Sequence, residues 1–252
     1  MNKKKLLSLI KSKVIEIDWE IAFQGKSYGN RHLERINKIG MYLMRAEQEK
    51  GSSVEEFVVL AGAWLHDVGL INGNKNHATR GKNIVSTILR FLEIDSATRE
   101  KIEHCVESHD AGSDAHDTRI NAETIEAKIV HDADTLDKMG PLGFFRHVWK
   151  LSVENLISTP EDLFAFVSRH LQERRANLYL ETSRKLANRY AVTLETFLQE
   201  KEQVLIIIKR ISHLARTGFP TEKIVHVLSD QFSGNFRDVL LQQMHLEDFK
   251  YH

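Results

Sequence analysis

The stretch of sequence that decides the fold is Ala63-Trp64-Leu65-His66-Asp67-Val68-Gly69. It closes a run from Phe57 to Leu65 that is apolar on every face, and such a run is typical of a helix buried on all sides in a protein core. Ser53 and Glu56 have the spacing of a capping box at the start of this helix, and Gly69 stands where a left-handed residue would stop it. The sequence therefore predicts a central buried helix with a polar pair at its closed end.

The polar pair, His66 and Asp67, is costly to bury unless another group compensates it. Two compensations are open at this point: a divalent cation held by both side chains, or hydrogen bonds from neighbouring groups. The dipeptide alone favours the hydrogen-bonded pair, because matches this short are common by chance.

Composition excludes several classes of protein. The chain has 252 residues, 42% of them hydrophobic, and can bury a sizeable core as one domain or as one domain with an appendage. Lys plus Arg equals Asp plus Glu at 35 each, so no overall field attracts nucleic acid or a membrane surface. The single cysteine, Cys105, forms no internal disulfide and fits a reducing compartment. No apolar run approaches the ~20 residues of a membrane span, so we expect a cytoplasmic protein.

Helical periodicity runs along the whole chain, and no alternating strand pattern is present. Asn30 is the predicted N-cap of a helix that carries His32 in its first turn. His109 closes an apolar stripe along a helix from about Thr98. Periodicity does not choose between Asp132 and Asp134 as the inward-facing carboxylate of a later helix. The predicted helices cover residues 3–23, 31 onward, 57–65, 78–92, 98–109 and 122–139, with further helices to the end.

In chain order, the polar residues of these helices are His32, then His66 and Asp67, then a carboxylate near position 134. This order resembles the HD-domain superfamily of metal-dependent phosphohydrolases over about residues 25–140. Two further motifs carry the resemblance: His-x-x-Arg from His32 to Arg35, and Asp-Ala-Asp-x-Leu-Asp from Asp132 to Asp137. The resemblance implies an all-α HD-domain helical bundle with its site at the centre. It also implies the metal ligands His32, His66, Asp67 and Asp134.

Two imidazoles and two carboxylates suit Mn²⁺, Mg²⁺, Fe²⁺, Co²⁺ or Ni²⁺. A cation bound there polarises a phosphoryl group and lowers the pKa of its water, which then attacks phosphorus, and Asp67 or Asp132 is the residue expected to orient that water. His77, His109 and Lys138 are the predicted substrate contacts. For His109 a core histidine bonded to backbone is an equal alternative, and for His77 and Lys138 the alternative is simple solvation.

The sequence thus predicts a metal-dependent phosphohydrolase, with manganese among its candidate ions, that cleaves a phosphate ester or anhydride of a nucleotide. One alternative is a dinuclear-iron HD-type oxygenase that uses His77 and His109 as extra ligands. Another is a non-catalytic, nucleotide-binding regulatory module. We expect the HD domain at residues 1–200 and a C-terminal helical extension at residues 201–252. The apolar helices of that extension are the candidate surface for a homodimer. Arg80 and Lys82 are further candidates for phosphate contact.

Overall fold

The computed structural model describes residues 2–17, 28–73, 75–110, 120–156 and 159–245. These residues form helices and no strand, which confirms the predicted all-α class. Within the same ranges, no helix is both long enough and apolar enough to cross a lipid bilayer. The α-helices are α1 (Lys3–Ile17), α2 (Tyr28–Glu49), α3 (Glu56–Leu65), α4 (His77–Phe91), α5 (Ser96–Ser108), α6 (Ile125–Asp137), α7 (Gly140–Val153), α8 (Pro160–Ala176), α9 (Glu181–Leu198), α10 (Lys201–Arg216), α11 (Thr221–Leu228) and α12 (Gly234–His245).

The chain divides into two compact units, residues 1–134 and residues 135–252. The first unit is built around α3, whose residues from Phe57 to Leu65 are all buried. Helices α1, α2 and α5 pack against α3, and α4 packs against α5. The all-round burial predicted for the apolar run is therefore confirmed. The predicted domain boundary near residue 200 stays a prediction.

The predicted ends of α3 are wrong. Its N-cap is Glu55, and no side chain caps the helix there, so Ser53 and Glu56 form no capping box. The Glu55 backbone N–H instead donates to Oε1 of Glu126, 3.0 Å away and 71 residues later in the chain. Gly69 does not have a left-handed conformation either, and it lies within a 3₁₀ segment, Val68–Asn72.

Gly69 is nevertheless needed, for a different physical reason. A Cβ atom at this position would lie 1.9 Å from the carbonyl oxygen of His77 and 2.7 Å from the backbone nitrogen of Gly81. Only a residue without a side chain permits this approach of the 3₁₀ segment to the first turns of α4. The glycine therefore marks a close contact between two backbones and not a left-handed helix stop.

The start of α2 also differs from its prediction. The helix begins at Tyr28, so Asn30 lies inside its first turn and is not the N-cap. His32 remains near the beginning of the helix, as predicted. The structure describes α1 only to Ile17, and the remainder of the helix predicted to residue 23 lies outside the described residues.

The second unit is built around α7, against which α8, α9, α10, α11 and α12 all pack. Its core contains a cluster of aromatic rings whose centroids are 4.2–6.0 Å apart, a spacing typical of favourable edge-to-face and offset contacts. These rings belong to Phe144, Phe145, Phe197, Phe232 and Phe236.

A buried glutamine of α12 stabilises the turn between α6 and α7. This turn requires Gly140, whose φ is +67°. The Nε2 group of Gln243 donates to the carbonyl of Met139, and Oε1 of the same side chain accepts from the backbone N–H of Leu142, each at 3.0 Å. Gln243 therefore joins two elements that are about 100 residues apart in the chain.

We predict that Gln243→Leu lowers the free energy of unfolding by about 1–3 kcal/mol, because it leaves the buried N–H of Leu142 without an acceptor. The cost stays in that range because the Met139 carbonyl keeps its bond from the N–H of Gly143. Urea unfolding of the full chain measures the change. Gln242→Leu is the matched control, since the Gln242 side chain makes only a solvent-exposed contact with Arg189. Equal losses in the two variants would contradict the prediction.

Candidate metal centre

Five helices of the first unit bring imidazoles and carboxylates to one buried place. His32 comes from α2, His66 is the C-cap of α3, and Asp67 follows it directly. His109 is the C-cap of α5, and Asp134 lies on α6. His77 is the first residue of α4. Each of these side chains is buried or nearly so, with Asp67 the most exposed at 11%.

The four predicted ligands lie together, and we call them the first cluster: His32, His66, Asp67 and Asp134. Oδ2 of Asp67 lies 3.5 Å from Nε2 of His32 and 3.3 Å from Nε2 of His66. Oδ1 of Asp134 lies 3.3 Å and 3.8 Å from the same two nitrogens. Two imidazole nitrogens thus face two carboxylate oxygens from different helices.

The two ring nitrogens of His66 differ in their hydrogen bonding, and the difference indicates a need for positive charge. Its Nδ1 lies 2.9 Å from the carbonyl oxygen of Ala63, which only accepts, so Nδ1 carries the proton of this bond. Its Nε2 is buried and makes no hydrogen bond. A lone pair on that nitrogen would face the oxygens of Asp67 and Asp134 at repulsive positions. Positive charge is required there, and one divalent cation supplies it to all four groups at once.

Asp67 also takes part in what we call the second cluster: Asp67, His77 and His109. Its other oxygen, Oδ1, lies 3.6 Å from Nε2 of His77 and 3.5 Å from Nε2 of His109. These two nitrogens are 3.0 Å apart. Nδ1 of His109 donates to the carbonyl of Val106 at 2.7 Å, which leaves Nε2 to face the carboxylate. The two oxygens of one aspartate therefore face two pairs of histidines, and the pairs adjoin each other at His66 and His109.

Both clusters have the spacing of metal sites. In each of three groups, the candidate ligand atoms all lie within 4.8 Å of one another: His32 with His66 and Asp67, His66 with His109 and Asp134, and Asp67 with His77 and His109. In the third group, Asp67 was a predicted ligand, whereas the sequence offered a backbone-bonded core histidine as an equal alternative for His109 and simple solvation as the alternative for His77. Nitrogen and oxygen donors in this mixture suit divalent transition metals and Mg²⁺.

The electrostatics of Asp67 and His109 are coupled. Burial alone raises the pKa of Asp67, but the charge of His66 and the imidazole N–H groups of His109 and His32 hold that pKa well below its usual value. Burial alone lowers the pKa of His109, but the hydrogen bond and charge of Asp67, with the charges of Asp110 and Asp134, raise it. Asp67 is thus ionised at neutral pH, and a cation in the second cluster competes with a proton on His109.

The remaining predicted site residues lie as follows. Asp132 is completely buried on α6, and its Oδ1 is 3.1 Å from Nδ1 of the adjacent His131. Lys138 is half-buried just after the end of α6. The roles of both residues stay predictions. Lys82 forms an ion pair with Glu107 of α5.

Sequence reasoning missed two features. Oδ2 of Asp110 lies 3.9 Å from Nε2 of His77, which adds a carboxylate beside the second cluster. The sequence signal that could have identified Asp110 is its position directly after His109, at the end of a helix. Arg80, a candidate for phosphate contact, binds the carbonyls of Gly69 and Gly73 instead. No sequence pattern marks that interaction, because it depends on where α4 crosses the 3₁₀ segment.

Comparison with known protein structures gives the same fold. The YpgQ protein of Bacillus subtilis, solved in complex with ADP, matches with a TM-score of 0.62 at 18% identity, over 81% of this chain and 96% of its own. The Lin1889 protein of Listeria innocua matches with a TM-score of 0.60 at 20% identity, over 80% and 96%. A predicted HD superfamily hydrolase from an uncultured Thermotogales bacterium matches with a TM-score of 0.52 at 20% identity, over 81% and 98%.

A comparison with curated protein sequences gives no match. A family model described as the HD domain matches residues 31–139, a range that contains both clusters. Residues 31–139 of the chain therefore form an HD domain.

Proposed function

We propose that this protein is a metal-dependent phosphohydrolase that cleaves a phosphate ester or anhydride of a nucleotide. The observation that carries the proposal is the position of the Asp67 carboxylate. One of its oxygens faces His32 and His66, and the other faces His77 and His109. A buried, ionised carboxylate among four imidazoles has the donor chemistry of a metal site.

The residues present fit one or two divalent cations. The first cluster offers two nitrogens and two carboxylates, and the second offers two nitrogens and the shared carboxylate of Asp67. A bound cation supplies Lewis-acid activation of a phosphoryl oxygen and a water molecule of lowered pKa. Manganese is the ion we would test first, because this donor set suits it and because Mn²⁺ also accepts water and phosphate oxygens as ligands.

The chain itself contributes orientation, charge and the exclusion of water. The carbonyls of Ala63 and Val106 fix the Nδ1 protons of His66 and His109, so that each Nε2 is presented to the carboxylates. Burial of these side chains keeps competing water from the ligand positions. Asp132 stays our candidate for orienting the attacking water, and Lys138 our candidate for a substrate contact.

The number of bound ions decides the role of His77 and His109. If one ion occupies the first cluster, these two imidazoles remain available as donors to a substrate phosphate, as the sequence predicted. If a second ion binds, they become its ligands and the substrate phosphate meets the ions instead. Both Nε2 atoms face Oδ1 of Asp67, at 3.6 Å and 3.5 Å, which supports the second arrangement; a second ion would then replace the hydrogen bond that joins the two nitrogens at 3.0 Å.

Nucleotides are the substrate class that the comparisons support. The structure of YpgQ in complex with ADP is a structure of a relative in fold with a bound nucleoside diphosphate. The balanced charge of this chain also favours a small phosphorylated substrate over a nucleic acid.

The second cluster also keeps a dinuclear-iron oxygenase as a second candidate function, since that chemistry needs two adjacent ions. Iron content separates the two functions. Two irons per chain in protein purified without added metal, together with no phosphate release from any substrate, would favour the oxygenase.

We predict that His66→Asn weakens Mn²⁺ binding to the first cluster at least about 100-fold, since even the partners of metal ligands are worth about 10–100-fold. The asparagine amide can keep the hydrogen bond to Ala63 while Nε2 is lost, so the fold is retained. Isothermal titration of chelator-treated protein with Mn²⁺ measures the affinity. His213→Gln, at an exposed position of α10, is the control. Unchanged affinity in His66→Asn would remove His66 from the ligand set.

We predict that Asp67→Asn lowers kcat/KM for phosphate release at least about 1,000-fold, because the bridging negative charge is lost and about 4 kcal/mol of transition-state stabilisation goes with it. The assay measures phosphate and pyrophosphate released from a panel of nucleotides and simple phosphoesters with added Mn²⁺. Asp230→Asn, which changes an exposed carboxylate of the second unit, is the matched control. Phosphate release that persists in Asp67→Asn would refute metal-dependent hydrolysis at this site. If the unaltered chain releases phosphate from none of the substrates, the alternative is a nucleotide-binding regulatory module, and direct measurement of nucleotide affinity tests it.

A further inference from the structure

Arg80 makes an unusual contact for a surface arginine. Its Nε donates to the carbonyl of Gly69 at 2.8 Å, and its Nη2 donates to the carbonyl of Gly73. These carbonyls lie near the start of the 3₁₀ segment Val68–Asn72 and directly after its end. One guanidinium group therefore binds both ends of the segment that follows Asp67. The Gly73 carbonyl lies past the C-terminal end of the 3₁₀ helix, where carbonyls have no helical partner, and a planar donor with two N–H groups can bind it and the Gly69 carbonyl together.

The same segment touches the backbone of α4 directly. A Cβ atom at Gly69 would overlap the carbonyl of His77, and a Cβ atom at Gly81 would lie 3.4 Å from the nitrogen of Gly69 and 3.6 Å from the carbonyl of His66. There is no side chain between the two backbones to absorb a shift. Any change in the position of the 3₁₀ segment therefore moves the start of α4, or separates the two.

These contacts form a closed ring of covalent and hydrogen bonds that passes through Asp67 and His77, two residues of the second cluster. Asp67 leads into the 3₁₀ segment, Arg80 ties that segment to α4, and His77 lies one turn before Arg80 at the start of α4. Oδ1 of Asp67 and Nε2 of His77, which both lie on this ring, are 3.6 Å apart.

We infer that Arg80 is a positioning residue for the second cluster, which holds Oδ1 of Asp67 and the imidazole of His77 at the separation that one divalent cation requires. The inference rests on the proposed function, in which both clusters hold ions. The inference adds a difference between the two clusters in how their ligands are held in place. Apart from Asp67, which both clusters share, the first cluster takes His32 from α2, His66 from α3 and Asp134 from α6, none of which belongs to the ring that Arg80 closes.

A purely stabilising role for Arg80 would have a different consequence. Loss of a stabilising contact alone lowers the population of folded protein and reduces binding at both clusters to the same degree. Loss of a positioning contact weakens one class of metal sites and spares the other. The two affinities, measured on folded protein, therefore separate the two roles.

The test is a titration of the chelator-treated full chain with Mn²⁺, by calorimetry and by the electron paramagnetic resonance of coupled ion pairs. We expect two classes of site in the unaltered chain, the weaker of them the second cluster, which offers three ligand groups where the first cluster offers four. In Arg80→Met, which keeps the aliphatic stem and loses the guanidinium, we expect the weaker class to lose at least about tenfold in affinity and the coupled signal to disappear. The tighter class should change less than about threefold. Arg90→Met, the same substitution at an exposed position in the last turn of α4, is the matched control and should alter neither class.

A second variant tests the guanidinium group itself. In Arg80→Ala, added guanidinium at concentrations far below denaturing should restore part of the lost affinity, and ammonium at the same concentration should not, since only the planar ion donates to two carbonyls. Equal weakening of both classes, or no weakening of either, would overturn the inference. A single class of metal site in the unaltered chain would overturn both this inference and the proposal that a second ion binds. Two classes without phosphate release would instead refute the hydrolase function and leave the role of Arg80 intact.

Discussion

The carboxylate of Asp67 is the group on which the rest of the first unit depends. It is nearly buried and ionised, and its two oxygens lie within 3.6 Å of imidazole nitrogens from four separate places in the chain. Burying such a charge costs several kcal/mol unless it is compensated. The compensation requires α2, α3, α4 and α5 to end or begin beside it, so the packing of these helices is also the assembly of the site.

Two of the candidate ligands, His66 and His109, are oriented by hydrogen bonds at the ends of helices. His66 and His109 are the C-caps of α3 and α5, and each donates its Nδ1 proton to the carbonyl three residues earlier, that of Ala63 or Val106. Carbonyls in the last turn of a helix have no partner within the helix, so they are available for this bond. The same interaction satisfies the helix end, fixes the tautomer and directs Nε2 towards Asp67. Two different helices use one local geometry for two different clusters.

What the sequence predicted well are the features that depend on periodicity and residue type. The buried α3 and the apolar stripe that His109 closes follow from the spacing of apolar residues, and the order of the polar residues placed the first cluster. Three of the features that it missed concern contacts between segments that are distant in the chain. The start of α3 depends on Glu126, Gly69 is required by the backbone of α4, and Arg80 binds the 3₁₀ segment. No local pattern specifies where two helices approach, so these features were beyond single-sequence reasoning.

The two clusters also explain why ligand residues alone do not specify a reaction. His77 and His109 can act as donors to a phosphate beside one ion or as ligands of a second, and the side chains need not move for either role. What selects between the roles is the precision with which the Asp67 oxygens are held, since a cation tolerates little error in ligand distance. In this chain that precision comes from a glycine without a side chain and an arginine bound to two carbonyls. On the proposed function, residues outside both clusters thus take part in deciding the chemistry of the centre.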